Sequence, residues 1–219
     1  MEQHEVVRRA SEAVKSAFVT AFGRAWNELL SGSEERVRKA YGGNGSWTAL
    51  LFGPESGVHP TKSSSSFLFP LVARHLKEIN TTEITQIRQQ DYTVDMSFVG
   101  GKCCLGEDRG MGYASRQLVL IEHENAPETA DEEFYKLLFR VADLKVLAFP
   151  DWSRSRLEQG RASPGTNAIL RFREIAEQAR PHAQDENLIV LIAQRDDESS
   201  VPTWSWVESP WLDERQPIG

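Results

Sequence analysis

Tyr92-Thr93-Val94-Asp95-Met96-Ser97-Phe98-Val99 and Gln117-Leu118-Val119-Leu120-Ile121-Glu122-His123-Glu124-Asn125 are the two stretches that decide how this chain folds. Both are dense in β-branched and large apolar residues and are bounded by Gly, Pro or Asn, so each reads as a strand. Carboxylates are scarce in strands, yet Asp95, Glu122 and Glu124 fall within these two. Successive strand side chains alternate faces, so Glu122 and Glu124 share one face and His123 takes the other. An Asp on the adjacent strand can converge with them. Such a set of oxygen donors suits a hard divalent cation, Mg²⁺ or Mn²⁺.

Working towards the N-terminus, Glu83–Arg88 pairs with the first run as a hairpin, with its turn near Gln90-Asp91. A helix is expected from a Ser66 cap to about Ile79, with Leu68, Val72, Leu76 and Ile79 on one face. Gly53 to Ser65 is rich in Gly, Pro and Ser and reads as a loop. Trp47–Phe52 is too short to assign and suits either a strand or a helical turn. Residues 3–30 carry an apolar stripe at three- and four-residue spacing, the pattern of a long helix. A second helix of about 34–41 starts from Ser33 and ends at Gly42-Gly43.

Towards the C-terminus, Gly100 to Arg116 is long for a hairpin loop. Asn125-Ala126-Pro127 stops the second run. Thr129 then opens a helix as a capping box with Glu132, and Ala130, Phe134, Leu137, Leu138 and Val141 face inward. Lys145–Phe149 is a short buried strand. Thr166–Arg180 is an amphipathic helix with Ile169, Leu170, Phe172, Ile175, Ala176 and Ala179 inward. Leu188–Ala193 is apolar throughout, as in a sheet covered on both faces. Thr203–Val207 alternates Trp204 and Trp206 with smaller residues and reads as an edge strand. The order helix, three strands, helix, strand, helix, strand implies an α/β fold with a mixed central sheet flanked by helices. Residues 1–45 form an N-terminal helical segment and 46–219 the α/β core, a single domain overall.

With 219 residues, 40% of them hydrophobic, the chain can bury one good core. No apolar run is long enough to span a membrane, and no signal-peptide core precedes the first helix. The adjacent Cys103 and Cys104 cannot build a disulfide framework, so a cytoplasmic protein is expected. The net charge of -7 disfavours a dedicated nucleic-acid binder. Arg154, Arg156, Arg161, Arg171, Arg173 and Arg180 nevertheless outnumber the acids around them, which suits a phosphate backbone. A solvated helix of mixed charge is the competing reading.

A hairpin with Asp on its second strand, then a strand ending Glu122-His123-Glu124, then a helix and a further strand, resembles the PD-(D/E)XK, or restriction-endonuclease-like, superfamily. Asp95 and Glu122 match the two motif acids, and Glu124 stands where most members carry Lys. The resemblance spans roughly residues 66–150. It implies a restriction-endonuclease-like core and a Mg²⁺- or Mn²⁺-dependent phosphodiesterase acting on nucleic acid, DNA ahead of RNA. Asp95, Glu122 and Glu124 would be both metal ligands and catalytic groups, with Glu124 against the attacking water. A lysine from elsewhere, Lys136 or Lys102, would restore the missing charge, and Glu78 or Glu28 would add an acid from the preceding helices.

The long N-terminal helix would pack on the core or form a homodimer. Trp204, Trp206 and Trp211 would stack on bases, or else cover the sheet edge. The alternative is a catalytically inactive nuclease-like fold that binds protein or nucleic acid. On that reading, Asp95 merely ends a hairpin strand and the glutamates sit at a solvated strand end.

Overall fold

The computed structural model describes residues 2–41, 43–53, 66–79, 84–91, 94–100, 116–151, 163–180, 187–196, 200–211 and 214–218. Three helices come first: α1 (Glu2–Tyr41), α2 (Asn44–Phe52) and α3 (Leu68–Ile79). Then follow β1 (Ile84–Asp91), β2 (Val94–Gly100), β3 (Arg116–His123), α4 (Asp131–Leu138), β4 (Leu144–Pro150), α5 (Pro164–Ala179), β5 (Leu188–Gln194), β6 (Thr203–Glu208) and β7 (Gln216–Ile218). Within α1, Ser33 leaves helical geometry at φ -158 and ψ 33. The expected boundary between two helices is therefore present as a kink at that serine.

All seven strands join one sheet in chain order, β1-β2-β3-β4-β5-β6-β7. β1, β2 and β3 form an antiparallel meander. β3, β4 and β5 run parallel, with the helices α4 and α5 in the two crossovers. β6 and β7 return antiparallel. This is the mixed α/β sheet with flanking helices that the element order implies.

The two faces of the sheet carry separate cores. On one face, Met96, Phe98, Val119, Ile121, Val146, Ala148, Leu191 and Trp204 pack under α1, α2 and α3. On the other, Leu120, Leu147, Phe149, Val190 and Ile192 pack under α4 and α5. There Phe134 and Phe172 stack at 4.3 Å between centroids, joining the two helices. Because alternate residues of β3 and β4 feed opposite cores, both strands are buried along nearly their whole length.

Of the two readings open for Trp47–Phe52, the helical one holds, within α2. Several local expectations are corrected. Thr129 makes no capping box: α4 begins at Asp131, its N-cap is Ala130, and the Thr129 hydroxyl donates to the Ala126 carbonyl. Val141 and Leu170 point outward, 87% and 49% exposed, because α4 ends at Leu138 and Leu170 lies off the buried stripe of α5. β6 is not an edge strand, since β7 pairs along it. The loop expected over 53–65 and the Gly100–Arg116 linker, with Lys102, Cys103 and Cys104, fall outside the described residues apart from their ends.

Candidate functional site

The register of β2 on β3 pairs Met96 with Ile121, Ser97 with Leu120 and Phe98 with Val119. One further step brings Asp95 opposite Glu122. Directly opposed residues on antiparallel strands share a face. Glu122 follows Leu120 by two residues, so both carboxylates lie on the face covered by α4 and α5. His123 takes the other face, as alternation requires, and its ring meets Phe52 of α2 edge-on at 5.9 Å.

Where the backbone ladder between these strands gives out, the carboxylates replace it. The Asp95 amide donates to Glu122 Oε2 at 3.3 Å, and the His123 amide donates to Asp95 Oδ2 at 2.8 Å. Glu122 is 2% exposed and its second oxygen, Oε1, is buried with no hydrogen-bond partner among the described residues. Burial, then the charges of Asp95 and Glu133, push the Glu122 carboxyl up to about 8. Burial raises the Asp95 carboxyl as well, against the His123 amide that favours its charged form.

Glu124 follows the strand directly. β3 ends at His123, so Glu124 is the first residue beyond it, and its amide donates to the Ala148 carbonyl of β4. Its Oε1 accepts from the Ala126 amide at 3.0 Å, closing the turn that leads to α4. Its charge also raises the Asp95 carboxyl, after burial and the charge of Glu133.

The helix α4 adds two groups to the site. Ala130, Phe134, Leu137 and Leu138 form its buried stripe, with Glu133 and Lys136 beside it. The Lys136 ammonium donates to both Glu133 oxygens, at 2.8 and 2.7 Å. Glu133 raises both the Asp95 and the Glu122 carboxyls, Lys136 lowers both, and Lys136 is in turn held higher by Glu133 first and by these two acids after it. Asp95, Glu122, Glu133 and Lys136 thus share one electrostatic neighbourhood. Of these, Lys136 was legible from its place after the second strand; Glu133 carried no sequence signal beyond being acidic in a helix's first turn.

The other sequence candidates are occupied elsewhere. Glu28 pairs with Arg74 and, at 2.9 Å, with His75 Nε2, while Glu78 meets His75 Nδ1 at 3.2 Å. These contacts tie α1 to α3, in the layer on the opposite face of the sheet from α4. Arg171 grips Asp131 through Nε at 2.7 Å and donates to the Pro127 carbonyl; Arg173 pairs with Glu177 along α5. The basic stretch is therefore partly spent on internal bonds, and Arg154, Arg156 and Arg161 lie outside the described residues. Trp204 and Trp211 are buried, the first stacked on Trp47 and the second edge-on to Phe134. Neither can serve as an exposed platform for bases.

A second polar cluster was not anticipated. Asp151, at the end of β4, has a fully buried side chain. Its Oδ1 accepts from the Gly165 amide at the start of α5, and its Oδ2 pairs with Arg215 at 3.3 Å. Arg215 also donates to Gln194 Oε1, Ser163 Oγ and Thr166 Oγ1. Asp151 thus occupies the N-terminal end of a helix, where the backbone amides and dipole favour an anion.

As a donor set, Asp95 and Glu122 suit a hard cation: two carboxylates with raised proton affinity, and an orphaned buried oxygen in Glu122 Oε1. Among the described residues no three His, Cys, Asp or Glu side chains are grouped closely enough to hold a metal unaided.

No family model and no curated protein matches the chain. Among solved structures it is similar to the central domain of yeast acetyl-CoA carboxylase, at 10% identity and a TM-score of 0.33. The alignment covers 94% of this chain and 34% of that one, so the chain spans about a third of its length. A likeness of that degree carries no argument about fold or function. Among the described residues no helix is long and apolar enough to cross a membrane.

Proposed function

We propose that the protein is a metal-dependent phosphodiesterase that cleaves nucleic acid, DNA ahead of RNA, in the cytoplasm. The observation that carries this reading is the Asp95–Glu122 pair: two carboxylates opposed on neighbouring strands, one of them buried with an unpartnered oxygen. The order of elements around the pair supports it too. The resemblance rests on hairpin, strand, helix and a further strand, and β1 to β4 with α4 follow that order.

Asp95 and Glu122 would hold Mg²⁺ or Mn²⁺. Such an ion supplies an ionised water and neutralises charge on the scissile phosphate. Glu124 keeps one oxygen on the Ala126 amide and offers the other to the attacking water. In the net reaction a phosphodiester and water give a phosphomonoester and an alcohol. A homodimer through the outer face of α1 is compatible with this chemistry, because the inner face of that helix is already committed to the core.

The competing reading, a nuclease-like fold that binds without chemistry, is favoured by a specific observation as well. Asp95, Glu122 and Glu124 each accept a backbone amide, which is a structural role in itself. Calorimetric titration with Mn²⁺ separates the two. The enzyme reading expects micromolar-to-millimolar binding that Asp95→Ala abolishes, together with Mg²⁺- or Mn²⁺-dependent plasmid nicking lost in Glu122→Ala. Equal Mn²⁺ binding by wild type and Asp95→Ala would sink it.

A further inference from the structure

Residues 124–130 carry the chain from the end of β3 to the start of α4. No side chain caps that helix, whose N-cap is Ala130. The connection is fastened along its length instead. At the strand end, the Glu124 amide donates to the Ala148 carbonyl, and Glu124 Oε1 accepts from the Ala126 amide at 3.0 Å. In the middle, the Thr129 amide and hydroxyl both donate to the Ala126 carbonyl, at 3.0 and 3.1 Å. At the helix end, Arg171 reaches across from α5. Its Nε donates to both Asp131 oxygens, at 2.9 and 2.7 Å, and its Nη2 to the carbonyls of Pro127 and Glu128, at 2.9 and 3.3 Å. Bonds and backbone thus run without a break from Arg171 to the Glu124 carboxylate.

We infer that Arg171 is the positioning residue of Glu124: by holding the Pro127 and Glu128 carbonyls it fixes the Ala126 amide, and that amide sets the direction of the Glu124 carboxylate. This rests on the phosphodiesterase reading above, in which the second oxygen of Glu124 meets the attacking water. Three observations favour it over an ordinary surface ion pair, which would contribute little. The guanidinium meets a carboxylate and two backbone carbonyls at once, a fork of donors that an ammonium cannot reproduce. The contact joins α5 to the start of α4, and its two side chains are only 34% and 35% exposed. Glu124 lies past the end of the strand ladder, and among the described residues its carboxylate accepts a single bond, from Ala126. Asp95 and Glu122 do not depend on Arg171, because β2 and β3 hold them through their own amides.

The test compares full-length wild type, Arg171→Gln, Arg171→Lys, Asp131→Asn and Glu124→Gln by amide hydrogen exchange, Mn²⁺ calorimetry and single-turnover plasmid nicking at saturating Mn²⁺. In Arg171→Gln the Ala126 amide exchanges about tenfold faster, the scale of one lost hydrogen bond to a charged group, while the His123 amide keeps its protection. Nicking slows on the order of 100-fold in the same variant, as for a reacting group moved by about 1 Å, and Mn²⁺ affinity holds at the wild-type value. Arg171→Lys follows Arg171→Gln, and Asp131→Asn, which keeps the two carbonyl bonds, lies between them and wild type. Because Arg171 acts through Glu124, its loss slows nicking no more than Glu124→Gln does. General loosening of the fold would instead lower Mn²⁺ affinity and the His123 protection together with the rate. An Ala126 amide as protected in Arg171→Gln as in wild type, or nicking slower in that variant than in Glu124→Gln, overturns the assignment and leaves the phosphodiesterase reading standing. A wild type that does not nick DNA with Mn²⁺ overturns both.

Discussion

Glu122 concentrates the energetics of the site. Its carboxyl is buried among other acids and stays protonated well above the range of an exposed glutamate, at about 8 against 4.5. The folded state therefore holds a proton that the unfolded chain releases above pH 4.5. Stability is highest below that value and falls as the pH rises to about 8, because the unfolded state binds fewer protons across the interval. Burial this complete sets an upper limit of about 5 kcal/mol on the loss. Urea denaturation of wild type at pH 5, 6.5 and 8 should show the decline, and Glu122→Gln should flatten it and be the more stable protein at pH 8. If Mn²⁺ occupies the pair, millimolar Mn²⁺ should recover stability at pH 8 in wild type and leave Glu122→Gln unmoved. Removing the bond from the Ala126 amide in Glu124→Ala should cost about 0.5–2 kcal/mol, as for a lost cap.

Among the elements, the junction of β4 with α5 makes the sharpest demand on sequence. A Cβ at Gly165 would stand 2.6 Å from Asp151 Oδ2 and 2.9 Å from its Cγ. The carboxylate cannot retreat without giving up Arg215 and the helix amides. Gly165→Ala should therefore destabilise by about 1–3 kcal/mol, the usual range for overpacking, read as a lower urea midpoint at unchanged slope. This junction also shows where sequence reading ran out. Strands β2, β3 and β5 were legible because β-branched runs between turn residues have few other uses, and the Ser33 break was legible as a cap. β7 was missed because Gln216-Pro217-Ile218 is short and carries a proline, and its presence moved β6 off the edge. Alternation set Glu122 and His123 on opposite faces, whereas the opposition of Asp95 and Glu122 needed the register of β2 on β3. Asp151 and Arg215 gave no such signal, because their pairing arises only when segments far apart in the chain meet.

For the molecule as a whole, the sheet divides labour between its faces. The face under α1, α2 and α3 is a dense aromatic core in which Trp204 stacks on Trp47 and meets Phe22 and Trp26 edge-on. The face under α4 and α5 carries the acids and the lysine. Truncation of a large aromatic on either side, Trp204→Ala or Phe134→Ala, should cost about 3–5 kcal/mol. Their effects on the site should differ. Measured at a temperature where both remain folded, Trp204→Ala should keep wild-type Mn²⁺ affinity, while Phe134→Ala, by loosening α4, should change it.

The order β1 to β7 has a consequence for how the molecule comes into being. Every strand lies beside the one made just before it, so the sheet can grow by accretion as the chain is synthesised, each arrival docking on an edge already waiting. The entropic cost of closing the connection to each new strand grows only slowly with its length. The acidic pair is assembled as soon as β3 docks on β2, before either parallel strand exists. Growth in that order would leave Glu122 at an open edge, in water, until α4 and β4 covered it.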